Sequence, residues 1–575
     1  MIEAPPTRKL TIIAKDPGFR LGGPDGPMAF VQVAVPAEIL AKGPTGYRIK
    51  VVDYNATERR AYRDRQTYER DGDLVDPFAP GPGETLLDPA YQARLLGDPN
   101  FHAQNAYAIA MRTLGVFERA LGRRVSWSFG GHQLHIAPHA FAQANAFYSE
   151  PDRALLFGYF RRADGTPVFT SLSHDIVAHE TTHAVLDGLR SRFTEPSGPD
   201  QAAFHEGLAD IVALLSIFSL PPVVAAALGE GGALVRGGRT IKLVAAADLT
   251  EARIRQSILL GMARQIGEEL EAGDRKALRR SVEILPEEGR ALRDAPDEHA
   301  RGEVLAAAMM NAFVALWLDR IALLGTFQGD FHSLDAVVEE GAKVAGQLLT
   351  MAIRALDYCP PTDIDFEQYL SGLLTADREL VPDDERGYRQ VIRAAFSAYG
   401  IQSPGPVGDV DGCWRRYPYV GRLAYTRSNH AAMTRSPDEL FRFLWENRKA
   451  LGISERAYSE VLSIDAASRI GPDGIALHET VCQYVERLDI FGAEFKSVLG
   501  AERPEGMSSR TRLRAYGGGV LVLDQYGQVK YHIANRLKDG ARQSRRAAYL
   551  LESGQLQGGD ARLRFALDHQ KRMGA

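Results

Sequence analysis

The sequence predicts an α+β fold, and three observations carry that prediction. Residues 1 to about 66 read as strands, strand character returns between Val125 and Phe160, and a long helix-rich region runs from Ser173 to about Tyr399. Strand-rich and helix-rich stretches that follow one another must cover each other's apolar faces, which is the α+β arrangement. At 575 residues the chain is long enough for two to four packed units.

In chain order, Lys9-Ala14, Met28-Val35 and Tyr47-Tyr54 are rich in Val, Ile and aromatic residues, with glycine and proline between them, and predict strands. Charged sequence from Arg59 to about Pro99, punctuated by Pro77, Pro80 and Pro82, predicts an exposed connection. From His102 the period changes. Tyr107, Ala110, Leu114, Phe117 and Leu121 fall three and four apart, one face of a helix ending at Gly122. Pro404, Gly405, Pro406 and Gly408 mark a boundary near 403. Beyond it, Asp438-Ala450 predicts a helix, and Gly519-Asp524 with Gln528-Ile533 predicts a hairpin around Tyr526-Gly527. The chain is read as 1–98, 99–222, 223–402 and 403–575.

Composition excludes several classes. With 45% hydrophobic and 25% charged residues the chain is neither disordered nor collagen-like. Its 68 basic and 73 acidic residues give a net charge of -5, so no basic field recommends nucleic acid. Cys359, Cys413 and Cys482 are too few and too far apart for a disulfide scaffold, which points to a reducing compartment. Met1 to Phe19 holds no apolar core of signal-peptide length. Ile211-Gly229 is uncharged and long enough to cross a bilayer, but Pro221-Pro222 interrupts it and Glu206 to Asp210 leads into it. Two buried helices joined at the prolines are expected, with a cytoplasmic location and no membrane partner.

The sharpest chemical signal is His179-Glu180-Thr181-Thr182-His183. Ser173 can cap its helix, and Asp175 suits the positively polarised first turn. Residues i and i+4 lie one above the other on a helix, so both imidazoles can bind one cation while Glu180 leans to the same side. A second element, Glu206-Gly-Leu-Ala-Asp210, begins another apolar helix. Glu206 could complete a two-histidine, one-carboxylate zinc site, and Asp210, one turn on, could fix a ligand's tautomer.

Several stretches, in the same order, resemble the thermolysin-like zinc metallopeptidases, whose third zinc ligand is a glutamate. Asn145-Ala146-Phe147-Tyr148 is similar to that family's substrate-pairing edge strand. Asp175 through Asp187 is similar to its zinc helix, and Glu206 and Asp210 match its glutamate ligand and supporting aspartate. Asp297-Glu-His299-Ala-Arg301-Gly302 resembles the segment whose histidine stabilises the transition state, and Tyr358 through Gly400 resembles the helical end of the fold.

The resemblance spans roughly 100 to 401 and implies two lobes, one β-rich and one mainly helical, with the zinc helix across the cleft. It is expected to carry an N-terminal strand region and a C-terminal extension. It implies an endopeptidase with one Zn2+ on His179, His183 and Glu206, Glu180 as general base and His299 donating to the oxyanion. Asn145 and Ala146 would hold the peptide as an added strand. Ile176 and Leu278 would line an apolar pocket for the residue after the cut. Arg279 or Arg293 would hold a substrate carbonyl, Arg279 being preferred because Arg293 leaves little chain before His299.

One departure stands out. The family carries a tyrosine near the oxyanion shortly after the second zinc histidine, and Arg192-Phe193-Thr194 holds none. Loss of one such donor costs on the order of 3 kcal/mol. Two other readings therefore stay open: a zinc-binding scaffold without turnover that meets a protein partner through 403–575, and a zinc hydrolase of non-peptide substrates. His132, His135 and His139 are scattered by Pro138 and strand geometry and read as structural, and His478-Glu479 has no second histidine at ligand spacing. Lys538, Arg542, Arg545 and Arg546 read as a solvated helix face.

Overall fold

A computed structural model describes residues 6–557 apart from 19, 22–25, 63–65, 163, 196, 229–231, 237–238, 257–282, 287–288, 296, 328, 405–410, 419–422 and 472–473. It is mixed α and β. β1 (Thr7–Ile13) and β2 (Phe30–Pro36) pair antiparallel with Leu10 opposite Val33, and alternate residues of β2 turn inward, as one buried face requires. β3 (Ile49–Val51) belongs to a different sheet. Two small hairpins follow, β4 (Tyr54–Asn55) with β5 (Arg60–Ala61) and β6 (Glu69–Arg70) with β7 (Asp73–Leu74).

The expected exposed connection is more structured than its prolines suggest. It contains α1 (Pro89–Leu96), capped by Asp88, and Phe78, Tyr91 and Leu95 pack with Ile13 and Phe30 in an apolar cluster. α2 (Pro99–Leu121) has Pro99 in its first turn and Asp98 as N-cap, its carboxylate accepting the Asn100 N–H. It ends, as the sequence predicts, at Gly122, which takes the left-handed cap conformation at φ 69°. The Gly122 carbonyl accepts the Ser468 N–H at 3.0 Å from far along the chain.

β8 (Leu134–Phe141), β9 (Ala146–Ser149), β10 (Ala154–Arg161) and β11 (Pro167–Phe169) join β3 in one sheet, ordered β11-β10-β8-β3 with β9 also on β10. β3, β8 and β10 run parallel, while β9 and β11 are antiparallel to β10. The helices come next: α3 (His174–Leu189), α4 (Pro199–Phe218), α5 (Pro221–Ala227), α6 (Glu298–Ile321), α7 (Leu334–Arg354), α8 (Phe366–Leu380) and α9 (Tyr388–Ala398). The uncharged run at 211–229 is two helices broken at Pro221, as expected. α4 and α6 are long and apolar enough to cross a membrane, but 89% and 72% of their most apolar windows lie inside the protein, as core helices. A small sheet, β12 (Gly232–Arg236), β13 (Arg239–Ala245) and β14 (Phe331–Ser333), interrupts the helix-rich region and was not legible in the sequence.

One apolar core runs from Leu10 to Cys413 and crosses the boundaries drawn at 98 and 222. The region beyond 403 has clusters of its own. It is built on an antiparallel sheet, β15 (Tyr458–Ile470), β16 (Ala476–Phe491), β17 (Arg512–Leu523) and β18 (Val529–Asn535), with α10 (Pro437–Glu446) and α11 (Gly540–Glu552) beside it. The predicted hairpin is β17–β18, and the predicted helix starts within α10.

This sheet is welded to the helices. Tyr358 and Ala376 pack with Trp414, Val481, Val520 and Tyr531. Beside them a buried chain of charges runs Arg123–Asp357–Arg469–Glu479–Lys530–Glu379, with Arg123 to Asp357 at 2.6 Å and Arg469 and Lys530 each 2.8 Å from Glu479. The basic residues of α11 do not form a solvated face throughout. Arg546 is buried with its Nε 3.3 Å from Asp363, and Arg542 pairs with Asp365 at 3.0 Å.

Candidate metal centre

α3 supplies two of the central side chains and α4 the third. Ser173 sits at the start of α3 but makes no cap bond; its hydroxyl donates to Asp175, whose carboxylate also accepts the Ile176 N–H at 2.9 Å. The expected cap is thus replaced by Asp175. One turn apart on α3, His179 and His183 bring their Nε2 atoms to 3.0 Å. From α4, Glu206 places Oε2 3.5 Å from His179 Nε2 and Oε1 3.7 Å from His183 Nε2. One ligand atom from each residue lies within 4.8 Å of the others, so the three could hold a metal ion.

The outer ring nitrogens are also engaged. His179 Nδ1 is 3.0 Å from Asp210 Oδ1, so a donated Nδ1–H leaves the Nε2 lone pair facing Glu206. His183 Nδ1 lies 3.2 Å from His205 Nδ1, and their rings stack at 5.5 Å. Burial disfavours the charged His179 ring, but hydrogen bonds to Asp210 and Glu206 override it and hold its pKa well above the ordinary value. Burial raises the Asp210 carboxyl, against the pull of His179 and the nearby charge of His299. Three carboxylates, Glu180, Glu206 and Asp210, stand around two imidazoles in a buried setting, and that excess of negative charge favours a cation.

Glu180 is fully buried, and its Oε2 accepts the Tyr148 N–H at 2.9 Å. Tyr148 is on β9, which among the described strands pairs with β10 alone, so the other edge of β9 faces α3. Ala146 lies on that edge strand. Asn145 is buried at its start, and its Oδ1 accepts the Ala146 N–H at 2.7 Å, so its side chain is turned onto its own backbone. Ile176 is buried one turn before His179. His299, second residue of α6, lies near enough to Asp210 for its charge to act on that carboxyl. No protein-family model matches the chain, and no curated protein matches it.

The structure therefore brings His179, Glu180, His183, Glu206, Asp210 and His299 together, with Ala146 beside Glu180. Leu278 and Arg279 lie outside the described residues. Arg293 is exposed and pairs with Asp294 at 3.2 Å, so it does not point into the site. Phe193 is buried against Phe204 with ring centroids 5.4 Å apart, and it offers no hydrogen-bond donor near the metal ligands.

His205 was not legible in the sequence because it precedes the candidate ligand Glu206 by one residue, a rotation of about 100° on the helix. Tyr148 was also passed over in this role: its hydroxyl donates to Asp187 at 3.2 Å, tying the edge strand to α3. His139 is structural, as expected. Asp53, His139 and His102 form a buried chain at 2.9 and 2.8 Å that ends on the Leu96 carbonyl, and burial holds the His102 pKa down at about 3.

Proposed function

We propose that the protein is a zinc-dependent endopeptidase of thermolysin-like architecture, with a β-rich lobe, the helix α3 across a cleft, and a helical lobe. The observation that carries this is Glu180, which sits between a two-histidine, one-glutamate ligand group and an edge strand. Zinc suits that donor set. Ligand atoms at 2.0–2.1 Å on a tetrahedron lie roughly 3.3 Å apart, close to the 3.0, 3.5 and 3.7 Å separations here. Held by His179, His183 and Glu206, the ion supplies Lewis acidity, which polarises a carbonyl and acidifies water.

The chain's own groups do the rest. The Glu180 carboxylate takes a proton from the attacking water and delivers it to the leaving amine. His299 donates to the oxyanion. Asp210 holds the His179 ring. The edge of β9 away from β10 pairs with the substrate backbone at Ala146, whose N–H would exchange the Asn145 side chain for a substrate carbonyl; this orients any peptide without reading its sequence, and Ile176 favours an apolar residue after the cut. A cytoplasmic location accords with three buried free thiols.

The test is digestion of a diverse peptide mixture, read by mass spectrometry, by native protein and by Glu180→Gln matched for zinc content. Cuts made only by native protein are the expected result; no cuts at equal zinc would sink the proposal. Phe193 favours a second reading, a metal-holding scaffold without turnover, which the same outcome would support.

A further inference from the structure

The region beyond 403 reaches three segments that border the metal site, and each contact is made by a specific side chain. On β16, Gln483 Nε2 donates to the Leu189 carbonyl, the last of α3, at 3.4 Å. On β17, the Tyr516 ring lies between two guanidinium groups, with Arg192 at 5.4 Å and Arg546 at 5.0 Å from its centroid. Arg192 heads the loop that joins α3 to α4. On α11, the Tyr549 hydroxyl donates to Glu298, the first residue of α6 and the neighbour of His299. The end of α3, the loop that leads from it to α4 and the start of the His299 helix are thus each touched by one sheet and its helix.

These contacts fall where a helix is weakest. The first turn of α6 has backbone N–H groups with no partner inside the helix, and the Asp297 cap accepts the Ala300 N–H at 2.8 Å. Further along, Arg301 ties the same turn to Asp200 on α4. His299 lies between those two ties, so its position depends on how the turn is held at Glu298. The buried Lys530–Glu379 pair and the apolar contacts of Ala376 join the sheet to α8 and make it a rigid support.

We propose that the C-terminal sheet and α11 form a fixed wall of the metal cleft, with Tyr549 as a positioning residue that sets His299 through Glu298. The catalytic part of this inference rests on the peptidase reading above. The region is then no detachable module: it holds in place the residue that meets the oxyanion.

The experiment uses the full chain loaded with zinc, in four forms: native, Tyr549→Phe, Glu298→Ala and Glu298→Gln. Hydrogen exchange of the 297–303 segment and steady-state peptide cleavage are both measured. Tyr549→Phe and Glu298→Ala should speed exchange there at unchanged zinc content and lower kcat by roughly tenfold with KM unchanged. Glu298→Gln keeps an acceptor for the tyrosine and should behave as native, which a general loss of packing would not predict. Exchange at native rates in Tyr549→Phe would overturn the proposal, and so would faster exchange with native kcat in an active enzyme. A native chain that cuts no peptide would sink the peptidase reading alone, and the exchange comparison would still decide whether Tyr549 fixes this turn.

Discussion

Gly207 on α4 and Gly302 on α6 meet back to back. A Cβ on Gly207 would lie 2.9 Å from the Gly302 carbonyl oxygen, and one on Gly302 would lie 3.1 Å from the Gly207 nitrogen and 3.3 Å from the Glu206 Cβ. Only two glycines let the backbones approach this closely. The crossing sets Glu206, a candidate metal ligand, beside the helix start that bears His299.

Gly302→Ala should therefore act on the site as well as on the fold. It forces α6 away from Glu206 and should destabilise the chain by about 1–3 kcal/mol, as overpacking does. Metal retention should fall with it. Thermal unfolding with and without zinc checks this: a variant that unfolds earlier yet gains as much from zinc as native would break the link.

Asp210→Asn should weaken metal binding by 10–100-fold, roughly the cost of losing a partner that orients a ligating histidine. The 3.0 Å contact to His179 Nδ1 is the reason. Competition with a chromophoric chelator reads the affinity, and native affinity would show that the ring is held by other contacts.

Acid should loosen the weld between the C-terminal sheet and the helices. Burial pushes the Asp357 carboxyl up, but Arg123 and Arg469 override it and hold it at about 2, against an ordinary 3.8. The folded pKa is depressed, so the stabilisation is complete above about pH 4 and is lost as pH falls towards 2, on the order of 2 kcal/mol. Urea midpoints across that window should fall more steeply for native protein than for Asp357→Asn. Equal slopes would mean that Asp357 is not the group responsible.

Glu486 behaves in the opposite sense. Burial raises its carboxyl from 4.5 to about 7, with the Ser454 N–H and the charge of Lys538 pulling it back. The folded state keeps a proton that the unfolded chain has released, so stability falls as pH rises from about 4.5 through 7. Glu486→Gln should stabilise the protein at about pH 8 by on the order of 3 kcal/mol and leave it unchanged at about pH 4. A stabilisation independent of pH would place the effect elsewhere.

Local rules made part of this molecule legible. The i, i+4 spacing marked His179 and His183, the start of an uncharged helix marked Glu206 and Asp210, and Gly122 marked the end of α2. What stayed hidden depends on distant packing. The middle of β16, from Glu479 to Glu486, is buried without alternation, because helices and strands cover both its faces and Glu479 is neutralised by Arg469 and Lys530. No local pattern pairs Lys530 with Glu379, or Tyr549 with Glu298. α1 lies between Pro89 and Pro99 in a proline-rich stretch, and β12 and β14, at 5 and 3 residues, are too short to show that β13 has partners.

The Gly122–Ser468 contact sets an order of events during synthesis. A Cβ at Gly122 would lie 2.3 Å from the Ser468 carbonyl oxygen, so the end of α2 is shaped to receive a strand made hundreds of residues later. Arg123, the next residue, waits for Asp357 and, through it, Arg469. While the ribosome is still working, the emerging amino-terminal half carries an unshielded helix end and a buried-type arginine without its counter-charge. Such a half-made chain is a candidate for holding by chaperones until the segments bearing Asp357 and Ser468 have emerged.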